Sequence, residues 1–226
     1  MKQLLSTVAL LLVFGSTNAT VLDFENFDAG TIMDTEYAAL GVSIAAVNLG
    51  GGPDLAVVFD SRNPTGGDSD LGAPFSNPVL GSASPGNLLI IQENDNCDQF
   101  TCATPDDEGS RPAGQLIISF DEGVLLESID FFDVEGVESH AGSAIQLYDD
   151  EDVLIPVSFF VPDTGGDNMW SQVFFGVSQV KTIVINMGGS GAIDNIAFQP
   201  RVVPVPAALP LLLTALAGLG VFRRHS

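Results

Sequence analysis

Short runs in which apolar and polar residues alternate recur along most of this chain, separated by Gly, Pro, Asn and Asp. The runs are Val21–Phe27, Gly41–Val47, Leu55–Phe59, Asn87–Glu93, Gln115–Phe120, Leu125–Val134, Ala144–Tyr148, Leu154–Phe160, Trp170–Phe175, Lys181–Met187 and Ala192–Phe198. They are rich in Val, Ile and Phe, the side chains that suit a pleated, half-buried surface. No stretch between residues 20 and 200 shows a sustained helical repeat with caps. About eleven strands in about 180 residues predict an all-β fold, an antiparallel β-sandwich of jelly-roll type. That length is ample to bury a core.

Two long stretches lack the alternation. Asp60–Gly86 carries Pro64, Pro74, Pro78 and Pro85 among many Gly, Ser and Asn, and a loop this long is either functional or poorly ordered. Asn94–Gly114 holds both cysteines and Asp106-Asp107-Glu108.

The two ends are apolar for another reason. Lys2, the apolar stretch Leu4–Phe14 and the small residues Thr17-Asn18-Ala19 make a secretory signal peptide, with cleavage expected after Ala19. From Val202 to Phe222 the only polar residue is Thr214, and Arg223-Arg224-His225-Ser226 closes the chain. A run of about 20 such residues spans a membrane as a helix, and the basic pair stays on the cytoplasmic side. Pro204 and Pro206 cannot sit inside a helix, so they mark its outer boundary. The expected organisation is a signal peptide over 1–19, one β-sandwich domain over 20–200 and a C-terminal segment over 201–226.

Val203-Pro204-Val205-Pro206-Ala207, the hydrophobic helix behind it and the Arg223-Arg224 end resemble the PEP-CTERM sorting signal in its Val-Pro-x-Pro-Ala variant. Val205 stands where the commonest family form has Glu. The resemblance covers the tail alone. It implies a Gram-negative bacterium that makes extracellular polysaccharide. It also implies a membrane peptidase of the exosortase type that recognises the signal, cuts near the Pro-x-Pro motif and passes the protein outward. The protein would then be membrane-anchored transiently and end at the cell surface or in the extracellular matrix. An anchor that is never processed is the alternative reading of the same residues.

Charge narrows the partners. All 29 Asp and Glu fall within residues 20–200, against Arg62, Arg111 and Lys181, so the domain carries 3 − 29 = −26. Such a surface repels nucleic acid and anionic membranes and suits solubility, cation binding or a hydrated polysaccharide matrix. Cys97 and Cys102 form an even pair in a chain bound for an oxidising compartment, which predicts a disulfide pinning a loop.

Candidate enzymatic sites are sparse. His140 is the only histidine of the domain, and no G-x-S-x-G elbow, P-loop or dinucleotide fingerprint is present. With so many acids some close carboxylate pair is inevitable, so a glycosidase pair carries no signal. The chain is therefore read as not an enzyme.

Calcium fits better. The segment from Asp60 to Gly72 concentrates carboxylate, amide and carbonyl oxygens on a Gly-rich loop, as hard cations require, with Asp68 and Asp70 at i, i+2 both able to point inward. The segment also looks like one in other secreted PEP-CTERM proteins, and it equally makes turns. In Gly191-Ala192-Ile193-Asp194-Asn195-Ile196-Ala197-Phe198, alternation places Asp194 on the face of Ile196 and Phe198. A core-facing carboxylate is costly unless paired, hydrogen-bonded to amides or bound to metal. The motif Gly-x-Ile-Asp-Asn-Ile-x-Phe at the end of the domain, with Asp23-Phe24-Glu25 at its start, resembles jelly-roll carbohydrate-binding modules. That resemblance implies a structural Ca²⁺ where first and last strands meet, held by Glu25 and Asp194.

Sugar recognition needs exposed aromatic platforms. Trp170 follows the loop Pro162–Met169 and either stacks on sugar or packs in the core, whereas Phe24, Phe120, Phe131, Phe174 and Phe175 are expected in the core. The leading expectation is a non-catalytic, Ca²⁺-stabilised binding module for extracellular polysaccharide. A glycan-active enzyme and a purely structural matrix component are the alternatives.

Overall fold

The computed structural model describes residues 19–136 and 144–201. The signal-peptide segment before Ala19, His140 with its loop, and the C-terminal segment with Pro204, Pro206, Ala207, Arg223 and Arg224 and its predicted helix lie outside the described residues.

The described residues contain eleven strands and no α-helix. They are β1 (Thr20–Leu22), β2 (Val42–Asn48), β3 (Ala56–Asp60), β4 (Phe75–Asn77), β5 (Gly81–Ala83), β6 (Asn87–Ile91), β7 (Gly114–Phe132), β8 (Ala144–Tyr148), β9 (Phe159–Phe160), β10 (Trp170–Met187) and β11 (Ala192–Gln199). Every pairing between them is antiparallel. One sheet runs β3-β6-β11-β7-β10-β8-β9, with β1 added to β11 and β2 to β7, and β4 and β5 form a separate hairpin.

The long strands β7 and β10 fold this sheet into two halves. The first part of β7, up to Phe120, pairs with β2 and with the last part of β10. The second part, from Val124, pairs with β11 and with the first part of β10. The register slips between these parts, at Val177/Val180 and Val180/Thr182. The strands approach closely there: a Cβ at Gly123 would lie 3.1 Å from the Gln179 Cα. Two pairs of expected strands, Gln115–Phe120 with Leu125–Val134 and Trp170–Phe175 with Lys181–Met187, are thus single bent strands. The polar residues at each bend interrupt the alternation without ending the pairing.

The halves enclose the main core, which joins Ile44, Val58, Leu89, Leu116, Ile118, Phe131, Ile145, Ile183, Ile193 and Phe198. A second cluster lies on the outer side of β3, β6 and β11, where Val57, Phe59, Leu88, Ile90, Phe132 and Ala192 meet Leu71 and Phe75. The proline-rich stretch between β3 and β6 is therefore an ordered cover. Leu71 and Phe75 are fully buried, and burial of each such side chain stabilises the fold by about 1.5–3 kcal/mol. Asn168 fastens the cover by donating its side-chain amide to the carbonyls of Asp70 (2.8 Å) and Gly72 (2.6 Å). Covered on both faces, β3 and β6 bury almost every residue, as their unbroken apolar sequences require. The Cys97–Cys102 disulfide is formed, and Cys102 packs into this second cluster.

Candidate cation sites and the open sheet face

Asp194 does not share a face with Ile196 and Phe198. Asn195 takes a left-handed conformation (φ 50°), and the register of β11 on β7 slips between Asp194 and Ala197. This bulge absorbs one residue, so Ile193 and Ile196 both enter the main core. Ala192 and Asp194 instead face the outer side, where Ala192 is paired with Phe132 and Asp194 with Asp130.

Asp194 is nevertheless only 2% exposed. Its carboxylate takes a hydrogen bond from the Asn195 backbone N–H, and its Oδ1 is buried with no hydrogen-bond partner. Burial pushes its pKa up to about 9, and the carboxylates of Asp130, Glu25 and Asp23 push in the same direction. Removing a carboxylate from water costs several kcal/mol unless a counter-charge offsets it.

Glu25 is brought to the same place by a turn. Strand β1 ends at Leu22, and Phe24 is left-handed (φ 53°), so Glu25 lies beyond the strand and not within it as alternation implied. Glu25 Oε1 accepts the Asn87 backbone N–H at 2.7 Å, and its Oε2 lies 3.9 Å from Arg62. A Cβ at Gly86 would collide with this carboxylate. The Tyr37 hydroxyl accepts the Phe24 N–H at 3.0 Å; burial raises its pKa, and Asp23 and Asp194 add to the rise.

A second concentration of acid lies at the rim of the cover, running from buried Asp133 to exposed Asp167. Asp70, Asp133 and Asp167 each offer a carboxylate oxygen, all within 4.8 Å of one another, and this set could hold a metal ion. Asp133 is buried, and its Oδ1 accepts the Asn168 N–H at 3.1 Å. Asp68 is not part of the trio. It precedes a 3₁₀ turn, Ser69–Leu71, and its Oδ2 accepts the Asp107 N–H at 2.9 Å. Burial raises the Asp68 pKa to about 6, with Asp106, Asp70 and Glu93 adding to the rise. Asp107 is buried too, its Oδ2 accepting Ser190 Oγ (2.8 Å) and Gly191 N (2.7 Å), and burial holds its carboxyl well above the usual range. Asp133 and Asp167 lie some distance along the chain from Asp70, and no local spacing could have announced them.

Asp130 is fully engaged by amides. Gln172 Nε2 donates to its Oδ1 at 2.7 Å and Asn195 Nδ2 to its Oδ2 at 3.0 Å. Trp170 is a packing residue: its ring stacks on Phe132 (6.2 Å between centroids, 16° between planes) and its Nε1 donates to Gly81 O at 2.9 Å. Phe24, Phe120 and Phe131 are buried in the core as expected, and Phe175 is nearly so. Phe174 is not, being 68% exposed on the outer side of β10.

No protein-family model and no curated protein matches the chain. Among solved structures it is similar to wild-type discoidin II from Dictyostelium discoideum, at a TM-score of 0.34 and 10% identity. The match covers 78% of this chain and 61% of the other, so the chain spans about three fifths of that structure. A likeness this low transfers neither fold detail nor ligand.

Proposed function

We propose that this chain is an exported, non-catalytic binding module of the cell surface or polysaccharide matrix, of jelly-roll type, and stabilised by Ca²⁺. The observation that carries the calcium reading is Asp194, a buried carboxylate with an unpartnered oxygen whose strongest charged neighbours are other carboxylates. Ca²⁺ supplies the missing positive charge, with Asp194 and Glu25 as ligands and carbonyl or water oxygens completing the shell. Asp70, Asp133 and Asp167 make a second place of the same chemistry. At this site Asp133 and Asp167 replace the expected partner Asp68. Calorimetric titration of the full chain with Ca²⁺ tests this. Binding that Asp194→Ala weakens supports the assignment, and equal binding by both proteins sinks it.

Export and sorting rest on the sequence of the ends. Removal of the signal peptide after Ala19 would leave Thr20 at the start of β1. The Pro204–Ala207 motif, the apolar stretch and Arg223-Arg224 are what an exosortase-type peptidase would recognise. Mass spectrometry of the C-terminus, from cells with and without their sorting peptidase, tests this part. A peptide ending near Pro204–Ala207 only when the peptidase is present supports sorting, whereas an intact Arg224-His225-Ser226 end in both strains refutes it.

A further inference from the structure

The cover formed by the β3–β6 segment extends as far as the Trp170–Phe132–Ala192 row, whose members all belong to the second core cluster. Beyond it the same side of the half-sheet continues along β10, β7, β11 and β1. The next row holds Gln172 and, in register with it, Asp130, followed by Asp194 and Asn195 at the bulge. The row after that reads Phe174, Ser128, Ala197 and Val21, again in direct register across the strands. Phe174 is 68% exposed and Val21 45%, with the small side chains of Ser128 and Ala197 between them as a floor. Adjacent strands lie about 4.8 Å apart, so this shelf is roughly 14 Å long from Phe174 to Val21.

We propose that this shelf binds a neutral hexopyranose chain, with the Phe174 ring stacking on the apolar face of one sugar and Gln172 and Asn195 taking its hydroxyls. The inference rests on the reading of the domain as a glycan-binding module, and it names the site and the sugar class. The chemistry of the shelf selects the occupant. Asp130 takes one N–H from each amide, which orients Gln172 and Asn195 and leaves each with a carbonyl oxygen and a second N–H to meet a ligand. A shelf offering paired acceptors and donors calls for a ligand rich in hydroxyls, which both donate and accept. An aromatic face beside them calls for one that is also apolar on one side. A domain charge of 3 − 29 = −26 disfavours uronate-rich or sulfated chains. A polypeptide would add main-chain hydrogen bonds at a sheet edge, such as β9, and not on a face whose backbone groups are already paired.

The test is binding of neutral gluco- and galacto-oligosaccharides to the full chain, to Phe174→Ala and to Phe100→Ala. Phe100 is 73% exposed on the disulfide loop and serves as the control. The proposal expects Phe174→Ala to lose about tenfold or more in affinity, as truncation of an anchoring aromatic does, and Phe100→Ala to bind like the parent. Because Phe174 is exposed, unchanged thermal melting is expected to show that the variant is folded. Undiminished saccharide binding by Phe174→Ala overturns the site while leaving the glycan-binding reading intact. If the parent chain binds none of these sugars at millimolar concentration, the glycan reading itself fails and the inference falls with it.

Discussion

Replacing Asp194 by Asn should make this protein more stable in the absence of divalent cations and less responsive to calcium. Asn keeps the shape of the side chain and removes the charge. Its amide also gives the surrounding carboxylates a donor. Without metal, the folded chain holds a proton on Asp194 up to about pH 9, whereas the unfolded chain releases it near 3.8. Between those values the folded state binds more protons than the unfolded one, so stability falls as pH rises. From 3.8 to pH 7 is about 3 units at about 1.4 kcal/mol each, which sets an upper bound of about 4 kcal/mol on the destabilisation. The assay is chemical denaturation in a chelator from pH 4 to pH 9, repeated at saturating Ca²⁺. In chelator the parent should lose stability across the range and the Asn variant should be flatter and more stable at pH 7. In Ca²⁺ each occupied site should add about 2.7 kcal/mol to the parent at a concentration 100 times its dissociation constant. The variant should gain less, since only the Asp70 site remains to it. A variant less stable than the parent in chelator at pH 7, or one that gains the same amount from Ca²⁺, would refute the reasoning.

Two other outcomes are expected. Leu71→Ala should cost about 2–5 kcal/mol, because Leu71 is fully buried beneath the cover, and the loss should register as a lower denaturant midpoint followed by Trp170 fluorescence. A cost under 1 kcal/mol would mean that the cover is not part of the cooperative fold. Asp70→Asn should lower by one the number of Ca²⁺ ions counted by calorimetry while leaving the fold intact, and an unchanged count would remove the Asp70–Asp133–Asp167 trio from consideration.

Much of the architecture was legible in alternation alone. The all-β class follows from Val-, Ile- and Phe-rich runs, and β2, β6, β8 and β11 stand close to where the pattern put them. The disulfide was legible in the even pair Cys97 and Cys102, in a chain whose sequence predicts export. Three features were hidden for physical reasons. Bends in β7 and β10 carry exposed polar residues such as Asp121 and Glu122, which look like loop in one dimension and are continuous strand in three. The bulge at Asn195 reverses the face of Asp194, so the sequence anticipated a buried carboxylate there and placed it on the wrong side. The β3–β6 cover has no periodicity because it is ordered by contacts with Leu88, Ile90 and Phe132, which are remote in sequence. Phe174 was expected in the core because it falls within a strand, yet it sits where the cover has ended.

The two bent strands have a mechanical consequence. Since β7 and β10 each run through both halves, and are hydrogen-bonded to each other along most of their length, neither layer can be peeled from the other without tearing the same ladder. The halves share their stiffest members, as floors of a building share a column. Opening should therefore begin at the outermost strand β9 and advance toward this shared spine, while β3 at the other end is held along its far edge by Gly30, Thr31 and Met33. Amide protons of Ile117, Ile118 and Ile129 should be among the last to exchange, and the described domain should melt in a single transition.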